Sequence, residues 1–148
     1  MVTTNAESGP GSLRAAIETA NSNGTAVHDI IRFNIPATAF LDRVILLTSE
    51  LPALTSNLTI DGSTQPGESF QNTDAKILIK QDQYAPSFAS LRISNAKNVN
   101  IYGLYLYIGY WEGIFWPLGN RSPNLYGIDI IDSRDIEIGA PGKGNVIN

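Results

Sequence analysis

Short segments in which every second residue is apolar recur along this sequence, and this recurrence restricts the fold more than any other feature. The clearest segment covers residues 97–106, KNVNIYGLYL. A shift of 37 positions places residues 91–101 on residues 128–138, and seven positions keep their chemical class. A shift of 41 positions places Asn57-Leu58-Thr59-Ile60 on Asn98-Val99-Asn100-Ile101. The sequence therefore contains an internal repeat of a strand-like unit.

This repeat favours a β-solenoid over a sandwich or a barrel, which short strands between polar turns would otherwise suit equally well. Both spacings exceed the roughly 20 to 30 residues of one bare solenoid turn. We assign the excess to two loops, at residues 63–74 and 109–126. Stacked turns of this kind pair strand on strand in parallel, about 4.8 Å apart.

The only clear helix signal begins at Ser12. Four small or apolar residues follow at i, i+3, i+4 and i+7 and form one narrow stripe: Leu13, Ala16, Ile17 and Ala20. Gly11 or Ser12 is expected to cap the helix, and Asn23-Gly24 to end it in a left-handed turn. Since the first end of a solenoid leaves apolar side chains uncovered, we expect the helix from Ser12 to Ala20 to cap that end.

The two-residue period also predicts the strands. A first short strand is expected at Val2-Thr3-Thr4, and a second contains Ile30, Ile31, Phe33 and Ile35. The other predicted strands lie at residues 44–47, 58–60, 77–79, 91–93, 99–108, 128–130, 136–138 and 146–147. Within residues 99–108 the alternation points four residues inward, namely Val99, Ile101, Leu104 and Leu106. Asn98 and Asp135 occupy turn positions that suit a left-handed backbone.

The start of the chain resembles a known family. Residues 8–17, SGPGSLRAAI, followed by Ala20-Asn21 and by Asp29-Ile30-Ile31-Arg32-Phe33, resemble the opening of many secreted bacterial right-handed parallel β-helix proteins of the pectate-lyase-like type. Residues 51–67, LPALTSNLTIDGSTQPG, and 138–148, IGAPGKGNVIN, resemble the same family. The resemblance implies a fold that is mainly β, a right-handed parallel β-helix (β-solenoid) with one N-terminal capping α-helix. It also implies an extracellular or cell-surface setting, but not lyase activity.

We expect residues 1–148 to form a single domain that is part of a longer protein. Residues 1–28 would supply the first strand and the capping helix, and residues 29–148 the β-helix turns with an inserted aromatic loop at 109–126. The last strands would then leave an open C-terminal edge, where self-association is one outcome to test.

Composition excludes several classes of function. The net charge of −4, with Lys and Arg scattered singly, argues against a nucleic-acid partner. The absence of cysteine excludes disulfides and thiolate metal sites. No apolar run reaches the roughly 18 residues that a membrane span needs. No phosphate loop or dinucleotide fingerprint occurs, so we predict no cofactor, no metal and no catalytic residue.

Aromatic residues form the strongest candidate site. Tyr102, Tyr105 and Tyr107 lie at outward positions, and both tryptophans fall in the inserted loop; the candidate ligand-binding residues are Tyr102, Tyr105, Tyr107, Tyr110, Trp111 and Trp116. Aromatic rings beside polar groups suit the stacking of sugars or a protein interface. The structural alternative is that the inserted loop folds back and buries its own aromatic side chains.

Acidic residues form a weaker candidate, since Asp129, Asp132, Asp135 and Glu137 fall within nine residues. The repeat offers a simpler role, because it stacks Arg92 on Asp129 as a surface ion pair. His28, the only histidine, is expected to make a structural hydrogen bond rather than to act as a base.

Two functions of different classes follow from these observations. The first is a non-enzymatic extracellular β-helix module that binds glycans through the aromatic residues. The second is the N-terminal part of a polysaccharide lyase or glycoside hydrolase whose active site lies on later turns of the solenoid.

Overall fold

The structure, a computed structural model, describes residues 1–70, 72–82, 85–108 and 126–148. It is mainly β, with one α-helix and parallel sheets. The elements in chain order are α1 (Leu13–Asn23), β1 (Asp29–Arg32), β2 (Val44–Leu47), β3 (Leu58–Asp61), β4 (Ile77–Gln81), β5 (Ala89–Ser94), β6 (Lys97–Tyr102), β7 (Leu104–Tyr107), β8 (Tyr126–Ile131), β9 (Arg134–Ile138) and β10 (Val146–Ile147). Short 3₁₀ helices cover Phe40–Arg43 and Gly62–Thr64.

The strands belong to three sheets, and every pairing among the described strands is parallel. Sheet one has the order β1-β3-β6-β9, sheet two β2-β4-β7-β10, and sheet three β5-β8. From β3 onward the chain enters the three sheets in rotation and returns to each one beside the strand that it left there. Parallel neighbours need such long connections, because a tight hairpin joins only antiparallel strands.

Strand register confirms the spacings of the repeat. In sheet one, Leu58 pairs with Val99 and Ile60 with Ile101, as the spacing of 41 predicts. In sheet three, Leu91 pairs with Ile128, as the spacing of 37 predicts. Register follows the apolar pattern because a slip by one residue would turn every core side chain toward solvent.

All three sheets and the helix contribute side chains to the main core cluster. The four predicted inward residues of β6 and β7, Val99, Ile101, Leu104 and Leu106, are fully buried. Full burial of one such side chain contributes roughly 1.5–3 kcal/mol. Stacked rows of Ile, Leu and Val therefore hold the parallel strands together.

Turns between the strands use left-handed Asn and Asp residues. Asn98 and Asp135 have φ of 59° and 56°, which confirms the prediction for both. Asn57 occupies the equivalent position before β3 with φ of 59°, and its side-chain oxygen accepts a hydrogen bond from Asn98 Nδ2 at 2.9 Å. Short amide and carboxylate side chains tolerate this backbone region because they hydrogen-bond locally.

Helix α1 begins after Ser12 and ends at Asn23-Gly24, at the caps that the sequence predicts. Ser12 Oγ accepts a hydrogen bond from Ala15 N, and Gly24 has φ of 77°. The helix continues past Ala20 to Asn23, because Asn21 donates to the carbonyl of Ala53 and so fixes the last turn to the body. Leu13, Ile17 and Ala20 are buried in the core cluster.

Two strand predictions at the start of the chain are wrong in extent. Of Val2-Thr3-Thr4, only Val2 pairs, opposite Phe33. Strand β1 stops at Arg32, because Phe33 N donates to Thr64 Oγ1 and Ile35 N to Gln65 Oε1. Side chains from the turn after β3 thus replace strand pairing at these two buried residues.

The predicted strand at residues 99–108 is two strands in different sheets. Gly103 separates β6 in sheet one from β7 in sheet two and has φ of 62°. A Cβ at this position would overlap the backbone of Ser63. Glycine is therefore required at this corner for both its backbone conformation and its size.

Tyr126, the last residue of the predicted aromatic insertion, is the first residue of β8, and residues 109–125 of that insertion lie outside the described residues. Among the described residues, no helix is long and apolar enough to cross a membrane.

Candidate functional site

The predicted tyrosines do not share one surface. Tyr102 lies on β6 in sheet one, whereas Tyr105 and Tyr107 lie on β7 in sheet two, beyond the corner at Gly103. All three side chains are half-buried. The other candidates, Tyr110, Trp111 and Trp116, lie outside the described residues.

Tyr102 is held in a polar cluster. Its hydroxyl donates to Glu137 Oε2 at 2.7 Å, and the Nζ atom of Lys143 lies 5.3 Å from the centre of its ring. The hydrogen bond to Glu137, then burial, then the charges of Glu137 and Asp61 raise the pKa of Tyr102 to about 12. This phenol is therefore a fixed hydrogen-bond donor at neutral pH.

Asp61 and Lys143 form an ion pair beside this ring that the sequence did not reveal. Asp61, only 6% exposed, has its Oδ2 atom 2.6 Å from Lys143 Nζ, and its Oδ1 atom accepts hydrogen bonds from the backbone and the hydroxyl of Ser63. Every oxygen of this buried carboxylate thus has a partner, which such a group requires. Together these contacts anchor the loop before β10 to the end of β3.

Tyr105 is covered by the loop at residues 63–74. The ring of Phe70 meets it edge to face at 6.3 Å and lies 4.8 Å from the ring of Phe40 on its other side. The hydroxyl of Tyr105 accepts a hydrogen bond from Asn148 Nδ2 at 3.2 Å. Tyr105 therefore packs against a small apolar cluster of Phe70, Ala75 and Leu78, and Tyr107 packs against the same cluster.

Tyr107 is the candidate with the most suitable surroundings. Leu46, Lys80 and Tyr107 pair in register across β2, β4 and β7, so their side chains form one row on the outer face of sheet two. Lys80 Nζ lies 5.7 Å from the centre of the Tyr107 ring, and Leu46 is 42% exposed. We call these three residues the sheet-two row. It combines an aromatic ring, a cation and an exposed apolar side chain at the roughly 4.8 Å spacing of parallel strands.

The acidic residues do not form a common site. Asp129 Oδ2 lies 3.2 Å from Arg92 Nε, which confirms the stacked ion pair, and Glu50 contacts the same guanidinium at 3.0 Å. Asp132 and Asp135 occupy left-handed turns. No metal-binding group of three or more His, Cys, Asp or Glu residues occurs in the part of the chain that the structure describes.

His28 makes structural hydrogen bonds, as expected. Its Nε2 atom lies 2.7 Å from Thr59 Oγ1, and its Nδ1 atom 3.3 Å from Asn98 Nδ2. These contacts join the segment before β1 to β3 and β6.

Two charged residues of the opening segment also have structural roles. Glu7 accepts hydrogen bonds from the backbone and hydroxyl groups of Thr48 and Ser49. The hydrogen bond from the Thr48 hydroxyl is the largest of the effects that lower the pKa of Glu7 to about 2, against an opposing effect of burial. Arg14 donates to the carbonyls of Ser49 and Glu50. Glu7 and Arg14 thus fasten α1 and the loop before it to the turn after β2.

The last described strand of each sheet has one paired edge only. Apolar side chains on these strands are exposed, including Ile130 of β8, Ile138 of β9 and Ile147 of β10. Unpaired edges with exposed apolar side chains favour association with other strands.

Comparisons of this chain with protein-family models, with curated proteins and with solved structures found no match. The resemblance of residues 8–17 to secreted β-helix proteins therefore stays a prediction.

Proposed function

We propose that the chain is a right-handed parallel β-helix whose first end is covered by α1. Three observations support this fold: the strands are all parallel, the chain returns to three sheets in rotation, and Asn or Asp residues recur at the same corner. Burial of Leu13, Ile17 and Ala20 against the core supports the role of α1 as a cap. An experimental structure with a left-handed or non-helical path of the chain would contradict it.

On this fold we propose a non-enzymatic module that binds glycans and works outside the cell or at its surface. The observation that carries the binding proposal is the sheet-two row, where the ring of Tyr107 lies beside Lys80 and Leu46. A sugar ring would displace Lys80 Nζ from the Tyr107 ring and stack there through its apolar C–H face, and Lys80 would then donate hydrogen bonds to the sugar hydroxyl groups. The extracellular location rests on the resemblance of the opening segment.

The other predicted tyrosines contribute less to this proposal. Tyr105 is covered by Phe70, and Tyr102 is fixed between Glu137 and Lys143 on a different sheet. Tyr110, Trp111 and Trp116 follow Tyr107 closely in sequence and remain candidates for the same binding surface.

A glycan array with the full chain, followed by calorimetry on the best ligand, tests the proposal. Tyr107→Ala should weaken binding at least tenfold, which corresponds to about 1.4 kcal/mol. Tyr126→Ala is the matched control, because Tyr126 is the same residue type, is 51% exposed and lies in sheet three. The proposal fails if no glycan binds the wild type, or if both variants lose binding equally. Release of unsaturated uronides from pectin or alginate would favour the enzyme alternative.

A further inference from the structure

A groove lies between α1 and β1, on the side of β1 where Val2 makes the one strand pairing found among the described residues. Its volume is about 360 Å³, room for roughly a dozen waters at about 30 Å³ each. The helix side is formed by Ala15, Ala16 and Thr19, and the strand side by Asp29 and Ile30. Small side chains on the helix thus leave the edge of β1 accessible along this stretch.

The backbone of β1 presents hydrogen-bonding groups to this groove. Asp29 N donates to Asn57 O at 2.9 Å, so Asp29 turns its peptide groups toward β3. In a parallel strand successive residues bond on alternate sides, so Ile30 turns its N–H and C=O toward the groove. Arg32 follows the same alternation, because its carbonyl accepts a hydrogen bond from Val2 N at 2.7 Å.

Val2 fixes the direction and register of any strand on this edge. It pairs in parallel opposite Phe33, with its own carbonyl accepting from Asn34 N at 2.9 Å. In this register Met1 lies opposite Arg32, and a strand that ends just before Met1 would run alongside residues 29–31, about 10 Å at 3.3 Å per residue. The groove lies along this path.

We propose that this groove binds an extended peptide segment of another protein, which pairs in parallel with β1 through the N–H and C=O of Ile30. Addition of a strand to a free sheet edge is a common mode of peptide recognition. Ala15, Ala16 and Thr19 leave space for small or β-branched side chains of the peptide.

Charge favours a basic group at the first position of this peptide. In the parallel direction the peptide begins opposite Asp29, whose carboxylate accepts hydrogen bonds from Asn23 Nδ2 at 3.1 and 3.2 Å. This carboxylate, the one charged side chain in the groove lining, attracts a lysine or a free amino terminus. A peptide such as Lys-Thr-Val, which would end opposite Ile31, has the required length and chemistry.

The test is titration of the isotope-labelled full chain with Lys-Thr-Val, followed by amide spectra and hydrogen exchange. The Ile30 amide should shift and exchange at least tenfold more slowly when the peptide is bound. Thr19→Arg, which places a long side chain into the groove, should weaken binding at least tenfold. Ser22→Arg is the matched control, because it adds the same charge to an exposed position of α1 outside the groove lining. Thermal unfolding checks that both variants are folded.

Three results would overturn the proposal. The first is an unchanged Ile30 amide with the peptide at millimolar concentration. The second is equal weakening by Thr19→Arg and Ser22→Arg. The third is protection of Ile30 only when Thr-Val-Thr is fused before Met1, which would assign the groove to the chain's own upstream residues.

Discussion

Substitution of Glu7 by Gln should destabilise the protein, and most strongly at neutral pH. The carboxylate accepts hydrogen bonds from four donors of Thr48 and Ser49, and these lower its pKa from 4.5 to about 2. A difference of about 2.5 pKa units corresponds to about 3.4 kcal/mol at 1.36 kcal/mol per unit. The side chain is 25% exposed, so solvent reduces the effect, and we expect about 1–3 kcal/mol.

The pH dependence follows from the direction of this shift. A carboxylate with a lowered pKa in the folded state stabilises that state above its unfolded pKa, and the contribution is lost as pH falls from about 4.5 toward about 2. Wild type should therefore lose more stability than Glu7→Gln between pH 7 and pH 3. Urea unfolding followed by circular dichroism at both pH values gives the two free energies of unfolding.

Glu18→Gln provides the control, since Glu18 is exposed on α1 and the substitution removes the same charge. It should change the free energy of unfolding by less than about 0.5 kcal/mol. Equal effects of the two substitutions, or parallel pH profiles for wild type and Glu7→Gln, would refute the role of Glu7 as a charged hydrogen-bond acceptor.

We make three further predictions: for the corner at Gly103, for the hydroxyl of Tyr102, and for the unpaired edges of the last described strands. Gly103→Ala should destabilise by more than about 2 kcal/mol in urea unfolding, because alanine is strained at this φ and its Cβ overlaps the backbone of Ser63. Ultraviolet titration should detect a component with a pKa of about 12 that Tyr102→Phe removes; a titration curve with the same high-pKa component after the substitution would contradict the hydrogen bond to Glu137. Sedimentation should detect association of the wild type that increases with concentration, and Ile138→Lys should reduce this association. A wild type that stays monomeric at millimolar concentration would contradict association through the unpaired edges of β8, β9 and β10.

The sequence was sufficient to predict the strand register, because the repeat and the two-residue period act together. Pairing at the observed spacings places Val99 and Ile101 beside apolar residues of both neighbouring strands, β3 and β9. Left-handed turns at Asn98 and Asp135 were predictable for a similar reason, since few residue types tolerate that backbone.

The composition of the candidate site was less predictable, because it depends on the corner at Gly103. Alternation along residues 102–107 predicts that all three tyrosines point outward. It does not predict that the backbone turns at Gly103 from sheet one into sheet two. The ion pair of Asp61 with Lys143 joins residues 82 positions apart. Such a contact leaves no periodic signal in the sequence, and neither does the packing of Phe70 on Tyr105.

The parallel stack of strands is the central claim, and disulfide formation between engineered cysteines tests it most directly because the chain contains no cysteine. Thr59 and Asn100 pair in register, whereas Tyr102 lies two residues further along β6. The pair Thr59→Cys with Asn100→Cys should oxidise readily and stabilise the fold by up to about 4 kcal/mol. The pair Thr59→Cys with Tyr102→Cys should oxidise slowly, because diagonal Cα atoms lie roughly 7–8 Å apart. Faster oxidation of the diagonal pair, or no oxidation of the in-register pair, would contradict the account.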